Sequence, residues 1–367
     1  MNIDHIQFCV DDALVWADRF ARWFQLQIPW DGTVDHTQIA VVCGDAVCLV
    51  LVTPLSDRSP FADYRRQHPM GVVDVAFQVQ DLDAAIAHAQ AHGAQLRYPL
   101  QTHTSAAGQL RWVQYQGWGD LRHTLVERRG VTPLCPLTVG VGAGFPIGWA
   151  SPAPRQSPIS AIDHVVLNVA QGDLNRAIAQ YEDWFGFQRQ QSFTIQTPYS
   201  GLISQVLVHP SGSAQLPINE PTSPSSQIQE FLDTHRGAGV QHIALETLDI
   251  LDAIASFRQQ GLAFLPVPAS YYEQLQQRRD CKLSPQQLRA IAQAEILVDW
   301  QAAEPDAIFW QTFTQPIFGE PTFFFEVIQR CTATAQGDRH ANGFGEGNFQ
   351  ALFEAIEREQ VQRAQTR

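Results

Sequence analysis

The chain repeats itself, and this internal duplication limits its possible folds more than any other feature of the sequence. Three segments of the first half return in the second half with the same residue pattern. The matching pairs are Ile3–Ile6 with Ile162–Val165, Gly71–Phe77 with Gly239–Leu245, and Thr124–Arg128 with Glu326–Arg330. A pattern repeated over such a length in a chain of 367 residues predicts two domains that share one fold.

Residues 131–160 separate the two copies. Glycine and proline crowd this stretch, charged residues are almost absent, and neither strand nor helix periodicity persists. We predict a linker here, between an N-terminal domain of residues 1–130 and a C-terminal domain of residues 161–367.

Each copy contains two similar pieces, and each piece has the pattern of a strand, a helix and further strands. Apolar residues recur at helical spacing in Leu14–Phe24 and Leu174–Phe185. Longer apolar runs, such as Ile39–Val52, indicate strands. A β-α-β-β-β unit used four times predicts an α+β protein with two open β-barrel domains.

The segment Asn348–Gln360 adds a helix outside the repeat. Its apolar residues fall at i, i+3, i+4 and i+7, which places them on one helix face. They are Phe349, Leu352, Phe353 and Ile356. Asn348 is a residue type that commonly caps a helix, so we predict that the helix begins there.

Composition and charge exclude several classes of protein. The chain is 45% hydrophobic and 17% charged, which is typical of a packed globular protein. Its formal charge of −13, without a basic run, disfavours binding to nucleic acid or to an anionic membrane. No signal peptide, long apolar stretch or CxxC spacing is present. We therefore expect a cytoplasmic protein with reduced thiols.

Three ionisable residues, His164, His242 and Glu326, occupy repeat-aligned strands whose alternating faces are mainly apolar. Their neighbours on those faces are Ile162, Val166 and Asn168, then Val240 and Ala244, then Phe324 and Ile328. A single histidine on such a face is more often a hydrogen-bonded core residue than a metal ligand. The joint pattern favours a site, because two imidazoles and one carboxylate form the facial triad that binds Fe(II) and leaves positions open.

The N-terminal half provides an internal comparison. It carries His5, Asp74 and Thr124 at the three equivalent positions. Because threonine is a poor third ligand, we expect this half to be structural and to hold no metal.

Other motifs are better explained without a functional role. His209, His235 and His340 lie in or beside loop-like sequence, so we expect them to be exposed. The glycine-rich run Gly343–Gly347 lacks the third glycine of a dinucleotide-binding motif and has no βαβ unit around it. We exclude a dinucleotide site.

Longer motifs are distributed along residues 161–360 and together span nearly all of that range. They read AIDHVVLNV (161–169), SGLISQVL (200–207), LPINEP (216–221), GAGVQHIAL (237–245), TFFFEVIQR (322–330) and GFGEGNFQALFEAIEREQ (343–360). In these motifs the chain resembles the 4-hydroxyphenylpyruvate dioxygenase family of the vicinal oxygen chelate superfamily. The N-terminal half resembles that family more loosely, and the segment 296–316 departs from it.

The resemblance implies a role for each matching residue. It implies one Fe(II) per chain, held by His164, His242 and Glu326. It implies catalytic roles for Gln241, Gln311 and Phe349, and substrate contacts for Ser200, Asn219, Gln227, Phe313, Phe344, Asn348 and Phe353. Strict alternation would turn Gln241 away from the side that His242 faces, so we expect a bulge or an indirect role there.

The resemblance also implies an activity. Family members convert 4-hydroxyphenylpyruvate and O2 to homogentisate and CO2, by oxidative decarboxylation, ring hydroxylation and side-chain migration. This reaction serves tyrosine catabolism or quinone and tocopherol synthesis, with the C-terminal helix as a gate and a dimer or tetramer as the usual assembly.

Two alternatives stay open. One is 4-hydroxymandelate synthase, which acts on the same keto acid, and the other is a non-catalytic ligand-binding member of the superfamily. Asn219 and Phe349 favour the dioxygenase over the synthase. The intact triad disfavours a non-catalytic protein.

Overall fold

The computed structural model describes residues 1–44, 46–105, 108–130, 157–278, 281, 283–300, 307–332, 343 and 345–365. Most of the predicted linker and the loop 333–342 lie outside these residues. So do two residues of interest, Phe344 and His340.

The N-terminal half forms one sheet with helices between its strands. Its elements are β1 (Asn2–Cys9), α1 (Ala13–Phe24), β2 (Gln27–Val34), β3 (Thr37–Cys43), β4 (Cys48–Pro54), α2 (Ala62–Gln67), β5 (Gly71–Gln78), α3 (Leu82–Ala91), β6 (Leu96–Ser105), β7 (Gly108–Gln116) and β8 (Arg122–Gly130).

The C-terminal half repeats this order with additional helices. Its elements are β9 (Ile159–Asn168), α4 (Leu174–Phe185), β10 (Gln188–Gln196), β11 (Gly201–Val208), β12 (Gln215–Pro221), α5 (Gln227–His235), β13 (Gly239–Thr247), α6 (Ile250–Gln259), α7 (Ala269–Gln277), α8 (Pro285–Ala294), β14 (Leu297–Trp300), β15 (Ala307–Phe313), β16 (Phe324–Thr332) and α9 (Glu346–Gln365).

Both halves have the same sheet topology. The strand order is β2-β3-β4-β1-β5-β8-β7-β6 in one half and β10-β11-β12-β9-β13-β16-β15-β14 in the other. Two β-α-β-β-β modules meet in each sheet along the antiparallel pair of their first strands. The predicted α+β fold with four modules is confirmed. Helices α7 and α8, which precede β14 in the fourth module, were not predicted.

The repeat extends to strand register and to irregularities. His5 lies opposite Ala76 across β1 and β5, and His164 lies opposite Ala244 across β9 and β13. The register shifts at Asp4 and Asp163, just before each histidine, and again on the partner strand. The shift at Asp163 turns Ile162 toward the other face, where it packs against the main core rather than beside His164.

One hydrophobic core joins the two halves. The sheet faces opposite the histidines pack with α1, α4 and α6 into a single cluster of buried residues. Phe8 from β1 lies 5.1 Å from Phe323 and 6.3 Å from Phe325, ring centroid to ring centroid. The face of each sheet that carries the histidine is therefore not part of this core, and each of these two faces lines its own concave space.

The C-terminal helix differs from its predicted boundaries. Helix α9 begins at Glu346, two residues before the predicted cap, and continues to Gln365. Asn348 therefore lies inside the helix rather than at its N-cap, and its side-chain amide donates to Gln311 Oε1 at 2.7 Å and to the Phe309 carbonyl at 3.2 Å. Across the described ranges, no helix is both long and apolar enough to cross a bilayer.

Candidate metal centre

The structure brings His164, His242 and Glu326 together on the concave face of the C-terminal sheet. The three residues come from β9, β13 and β16, which are neighbours in the sheet. Ala244 of β13 pairs with His164 on one side and with Glu326 on the other. Sheet pairing alone therefore places the three side chains on one face.

The three side chains are buried and close to one another. Nε2 of His164 and Nε2 of His242 lie 3.4 Å and 3.5 Å from Glu326 Oε2. One ligand atom from each residue lies within 4.8 Å of the others. In the part of the chain that the structure describes, this is the one such group of three His, Cys, Asp or Glu residues.

Burial and charge act in opposite directions on these groups. Burial alone would raise the pKa of Glu326, but the two imidazoles, His164 above all, lower it to about 2. Burial alone would lower the pKa of His164, but Glu326 and Asp163 raise it to about 9. Burial keeps the pKa of His242 below its ordinary value. The carboxylate is thus held ionised in a dry environment.

A buried ion pair orients His164. Its Nδ1 lies 2.7 Å from Asp163 Oδ1, and Arg330 binds the same carboxylate with two contacts of 2.6 and 2.7 Å. Arg330 also donates to the Gly343 carbonyl at 2.7 Å. A carboxylate on the far nitrogen fixes the ring and leaves Nε2 directed at the site, as metal-bound histidines require.

Gln241 contacts one of the three ligand residues from a β-bulge. The register of β13 against β9 shifts between Val240 and His242, so Gln241 sits at a β-bulge. Its Oε1 lies 3.2 Å from Nδ1 of His242, and the ring of His242 stacks on Phe324 with centroids 4.8 Å apart. Gln241 therefore contacts the histidine rather than the space between the three ligands.

A chain of hydrogen bonds links Glu326 to helix α9. The amide of Gln311 donates to Glu326 Oε1 at 2.8 Å, and Asn348 donates to Gln311 Oε1 at 2.7 Å. Gly345 precedes α9 with a φ of +60°, and a Cβ there would collide with the Gln311 amide. The start of α9 and the carboxylate are thus positioned by one glutamine.

Helix α9 closes the concave space with aromatic and aliphatic side chains. Phe353 is fully buried in a cluster with Phe231 and Leu202, and Leu352 packs with Phe313 and Phe324. Phe349 touches both clusters. One turn further along, Glu357 accepts hydrogen bonds from Thr197, at 2.8 Å, and from Ser200. In this conformation Ser200 anchors the helix.

Polar side chains line the deep end of the space. Asn219 and Gln227 are buried, and each keeps one amide oxygen without a hydrogen-bond partner. The Ser226 side chain caps α5 by accepting from the Ile228 amide, which fixes Gln227 in the first turn. A cavity of about 20 Å³ lies between Gln227, Gln241 and Phe324.

The N-terminal half keeps the orienting pair but replaces the ligands. Asp4 contacts His5 at 2.7 Å and binds Arg128, as Asp163 does with His164 and Arg330. Asp74, however, accepts hydrogen bonds from the Thr124 hydroxyl and from Gln114, both at 2.6 Å. The Asp74 carboxylate is therefore already hydrogen-bonded to neutral donors in this half.

The C-terminal donor set fits a divalent transition metal. Two imidazole Nε2 atoms and an ionised carboxylate face one another, and the second nitrogen of each ring is held by an oxygen. The group is of the two-histidine, one-carboxylate type.

Comparisons with known proteins agree with this geometry. The family model described as Glyoxalase/Bleomycin resistance protein/Dioxygenase superfamily matches residues 161–280. A solved structure of a mutant 4-hydroxymandelate synthase from Streptomyces coelicolor is similar, with a TM-score of 0.79, 25% identity and 98% of each chain covered. The fold and the site define an enzyme of this superfamily.

Relatives narrow the assignment within the superfamily. The chain is 33% identical to the 4-hydroxyphenylpyruvate dioxygenase of Caenorhabditis elegans, over 98% of this chain and 92% of that protein. It is 34% identical to the enzyme of the same name from Dictyostelium discoideum, over 99% of both. The chain belongs to the 4-hydroxyphenylpyruvate dioxygenase family.

Proposed function

We propose that this protein converts 4-hydroxyphenylpyruvate and O2 to homogentisate and CO2, with Fe(II) held by His164, His242 and Glu326. The observation that carries the proposal is the buried group of these three side chains in a member of this family. When bound, Fe(II) would supply open positions for a chelating keto acid and for dioxygen, together with the electrons that oxygen chemistry needs.

The side chains around the triad would bind and orient the substrate. Phe313 and Phe349 lie in the apolar clusters beside the triad and would pack against the aromatic ring. Gln311 holds Glu326 and Gln241 holds His242, so both would fix ligand geometry. We give Gln227 and Asn219 the polar contacts of the substrate, because their unpaired oxygens need partners.

Helix α9 would exclude water during the reaction. It covers the concave space with Leu352 and Phe353, which are nearly or fully buried, and it is held by Glu357 at its middle. Opening and closing of this helix would admit the substrate and release the product.

The 4-hydroxymandelate synthase neighbour supports a second candidate, because the two activities share a keto acid and differ in the carbon that is oxidised. The synthase product would require the ring to be held away from the oxidant, whereas ring hydroxylation requires close approach.

Product analysis tests the proposal. The protein would be loaded with Fe(II) without oxygen, mixed with 4-hydroxyphenylpyruvate, exposed to air, and its products separated by chromatography. Homogentisate that is absent for the Glu326→Ala variant supports the dioxygenase. Formation of 4-hydroxymandelate would support the synthase. If neither the keto acid nor oxygen is consumed, both activities are contradicted.

We further propose a cytoplasmic homo-oligomer that acts on a small molecule. The described cysteines, Cys9, Cys43, Cys48, Cys281 and Cys331, form no disulfide, as a reducing compartment favours. Light scattering on the purified protein should give a dimer or tetramer; a monomer would contradict the assembly.

A further inference from the structure

A column of four aromatic rings crosses from the N-terminal half to the C-terminal half. Tyr64 belongs to helix α2, and His68 follows that helix directly. His235 and Phe231 belong to helix α5. In the order Tyr64, His68, His235, Phe231, successive ring centroids lie 4.7, 4.6 and 5.1 Å apart. We call these four residues the ring column, and all four are buried.

Hydrogen bonds fix the column at the boundary between the halves. Nδ1 of His68 donates to the His235 carbonyl at 2.9 Å, and its Nε2 lies 3.0 Å from Asp120 Oδ2. The Tyr64 hydroxyl lies 3.3 Å from Nε2 of His235 and 3.2 Å from the Val72 carbonyl oxygen. Each of the two N-terminal side chains is therefore held by its own half while it contacts the end of α5.

His235 also packs against the turn that joins α5 to β13. Its Nδ1 lies 3.1 Å from the Gly237 carbonyl oxygen, and a Cβ at Gly239 would collide with its ring. Gly239 is the first residue of β13, the strand that carries His242. The place of the His235 ring therefore fixes how α5 meets this strand.

The other end of the column reaches the wall of the site. Phe231 lines the cavity of about 20 Å³ together with Gln227 and Gln241. It also packs in one cluster with Phe353 of α9. Gln227, Phe231 and His235 recur every four residues, so they share one face of α5. A displacement of this face would move Gln227 and Phe231 together.

We propose that Tyr64 and His68 are positioning residues, which act through His235 to hold α5 where Gln227 meets the keto acid. The N-terminal half thereby takes part in substrate binding, although it lacks the triad. Because both residues act through a helix, they affect affinity for the keto acid rather than the reaction that follows binding. This inference rests on the proposed function.

Binding of 4-hydroxyphenylpyruvate to the Fe(II)-loaded protein without oxygen tests the proposal, with calorimetry as the measurement. We expect His68→Ala to weaken binding by about tenfold and Tyr64→Phe by about threefold, as residues that act through a packed network do. In air, KM should rise while kcat changes by less than about twofold. His68→Asn, whose amide can donate to the His235 carbonyl in place of Nδ1, should restore part of the affinity.

Tyr181→Phe is the matched control. The Tyr181 hydroxyl, on α4, lies 2.9 Å from Nε2 of His123 on β8, so it is also a buried tyrosine–histidine contact between the halves. This contact leads to α4 rather than to α5, and its loss should leave the affinity for the keto acid unchanged. If Tyr181→Phe weakens binding as much as Tyr64→Phe does, any contact between the halves has this effect and the proposal is overturned.

A double-mutant cycle shows whether the effect passes through Gln227. Gln227→Ala alone should weaken binding, and His68→Ala added to it should weaken binding further by less than about twofold, because the positioned contact is already lost. If the two effects multiply in full, His68 does not act through Gln227 and the inference is overturned. Tyr64→Phe keeps its ring, so the same cycle reports even if His68→Ala fails to fold.

The outcomes also separate this inference from the proposed function. If the wild type binds no keto acid, the proposed function falls and the inference falls with it. If the wild type forms homogentisate while His68→Ala and Tyr64→Phe bind the keto acid as tightly as the wild type, only the inference falls.

Discussion

Single side chains decide how firmly the triad is held. His164 points its Nε2 at Glu326 because Asp163 holds the other nitrogen, and Asp163 is itself held by Arg330. Burial would raise the pKa of Asp163, but Arg330 and His164 lower it overall, so the carboxylate remains charged. The ion pair supplies orientation at a buried site where a free imidazole could rotate.

Asp163→Asn should therefore weaken metal binding by about 10- to 100-fold, because an outer contact of a metal ligand is lost. Competition with a chelator would measure the Fe(II) affinity. Asp4→Asn removes the equivalent contact to His5 and Arg128 in the N-terminal half, and is the matched control. Equal affinities for the Asp163→Asn variant and the control would contradict this role.

His235 makes stability depend on pH. It is buried between Phe231 and His68, with ring centroids 5.1 and 4.6 Å away, and its Nε2 lies 3.3 Å from the Tyr64 hydroxyl. Burial, and then the neighbouring His68, lower the pKa of His235 to about 4. The unfolded chain binds a proton below about pH 6.5 that the folded chain refuses, so stability is lost as the pH falls from 6.5 to 4.

The loss from His235 amounts to at most about 3 kcal/mol over that range. Urea unfolding at pH 7 and pH 4.5 would measure it, and His235→Asn should show a smaller decrease between the two pH values than the wild type. The comparison uses the decrease rather than the absolute stability, because the substitution also removes ring contacts. Identical decreases would rule out the contribution of His235.

At the level of elements, helix α9 covers the site and is also connected, through Gln311, to the Glu326 carboxylate. The helix is preceded by Gly345 in the left-handed region, packed against Gln311, and Gln311 holds both Asn348 and Glu326. Displacement of one glutamine would therefore disturb the helix start and the ligand together.

Gly345→Ala should reduce product formation at least about tenfold, since the new methyl group must displace Gln311 as well as adopt an unfavourable φ. Gly172→Ala is the control, because Gly172 also has a positive φ but no atom within 4 Å of its added Cβ. Steady-state assays of both variants measure the difference. If the two variants keep equal activity, the packing of Gly345 against Gln311 does not matter.

The sequence predicted those elements that follow from periodicity and repetition. Four modules and the convergence of His164, His242 and Glu326 could be inferred because strand alternation assigns faces and the repeat aligns strands. The start of α9 could not, because the helix begins two residues before Asn348, where Gly345 packs against Gln311 of a strand distant in the sequence. His235 was expected to be exposed and is 3% exposed, since Tyr64 and His68, from a segment distant in the sequence, pack against its ring.

Other features of the site depend on atoms that a pattern does not specify. Alternation places Asn168 on the face of His164, but it does not show that an amide nitrogen there lacks a partner. Ser204, which is buried on β11 and pairs with Asn219 of β12, has no feature in the sequence that distinguishes it from a surface serine. Pairing across strands distinguishes it, and pairing is a property of the fold.

Across the whole molecule, one core unites a half with the triad and a half without it. Phe8 of the N-terminal half contacts Phe318, Phe323 and Phe325 of the C-terminal half. The N-terminal half therefore supports the sheet that carries Glu326, even though its own concave face has Asp74 and Thr124 where the C-terminal half has His242 and Glu326. This arrangement predicts that the halves unfold together.

Phe8→Ala should destabilise the protein by about 3–5 kcal/mol, as expected for removal of a large core side chain. Tryptophan fluorescence and release of bound metal should follow the same denaturant curve in the wild type and in the variant. Leu248→Ala, at a residue that is 80% exposed, serves as the control. Two separate transitions would contradict a shared core.

The most direct test of the account is the iron content of the protein, measured by mass spectrometry after anaerobic loading and removal of unbound metal. We predict one iron per chain in the wild type and in Thr124→Ala, and none in Glu326→Ala, because the triad is complete only in the C-terminal half. Two irons per chain, or iron retained by Glu326→Ala, would contradict the assignment of the metal to this site.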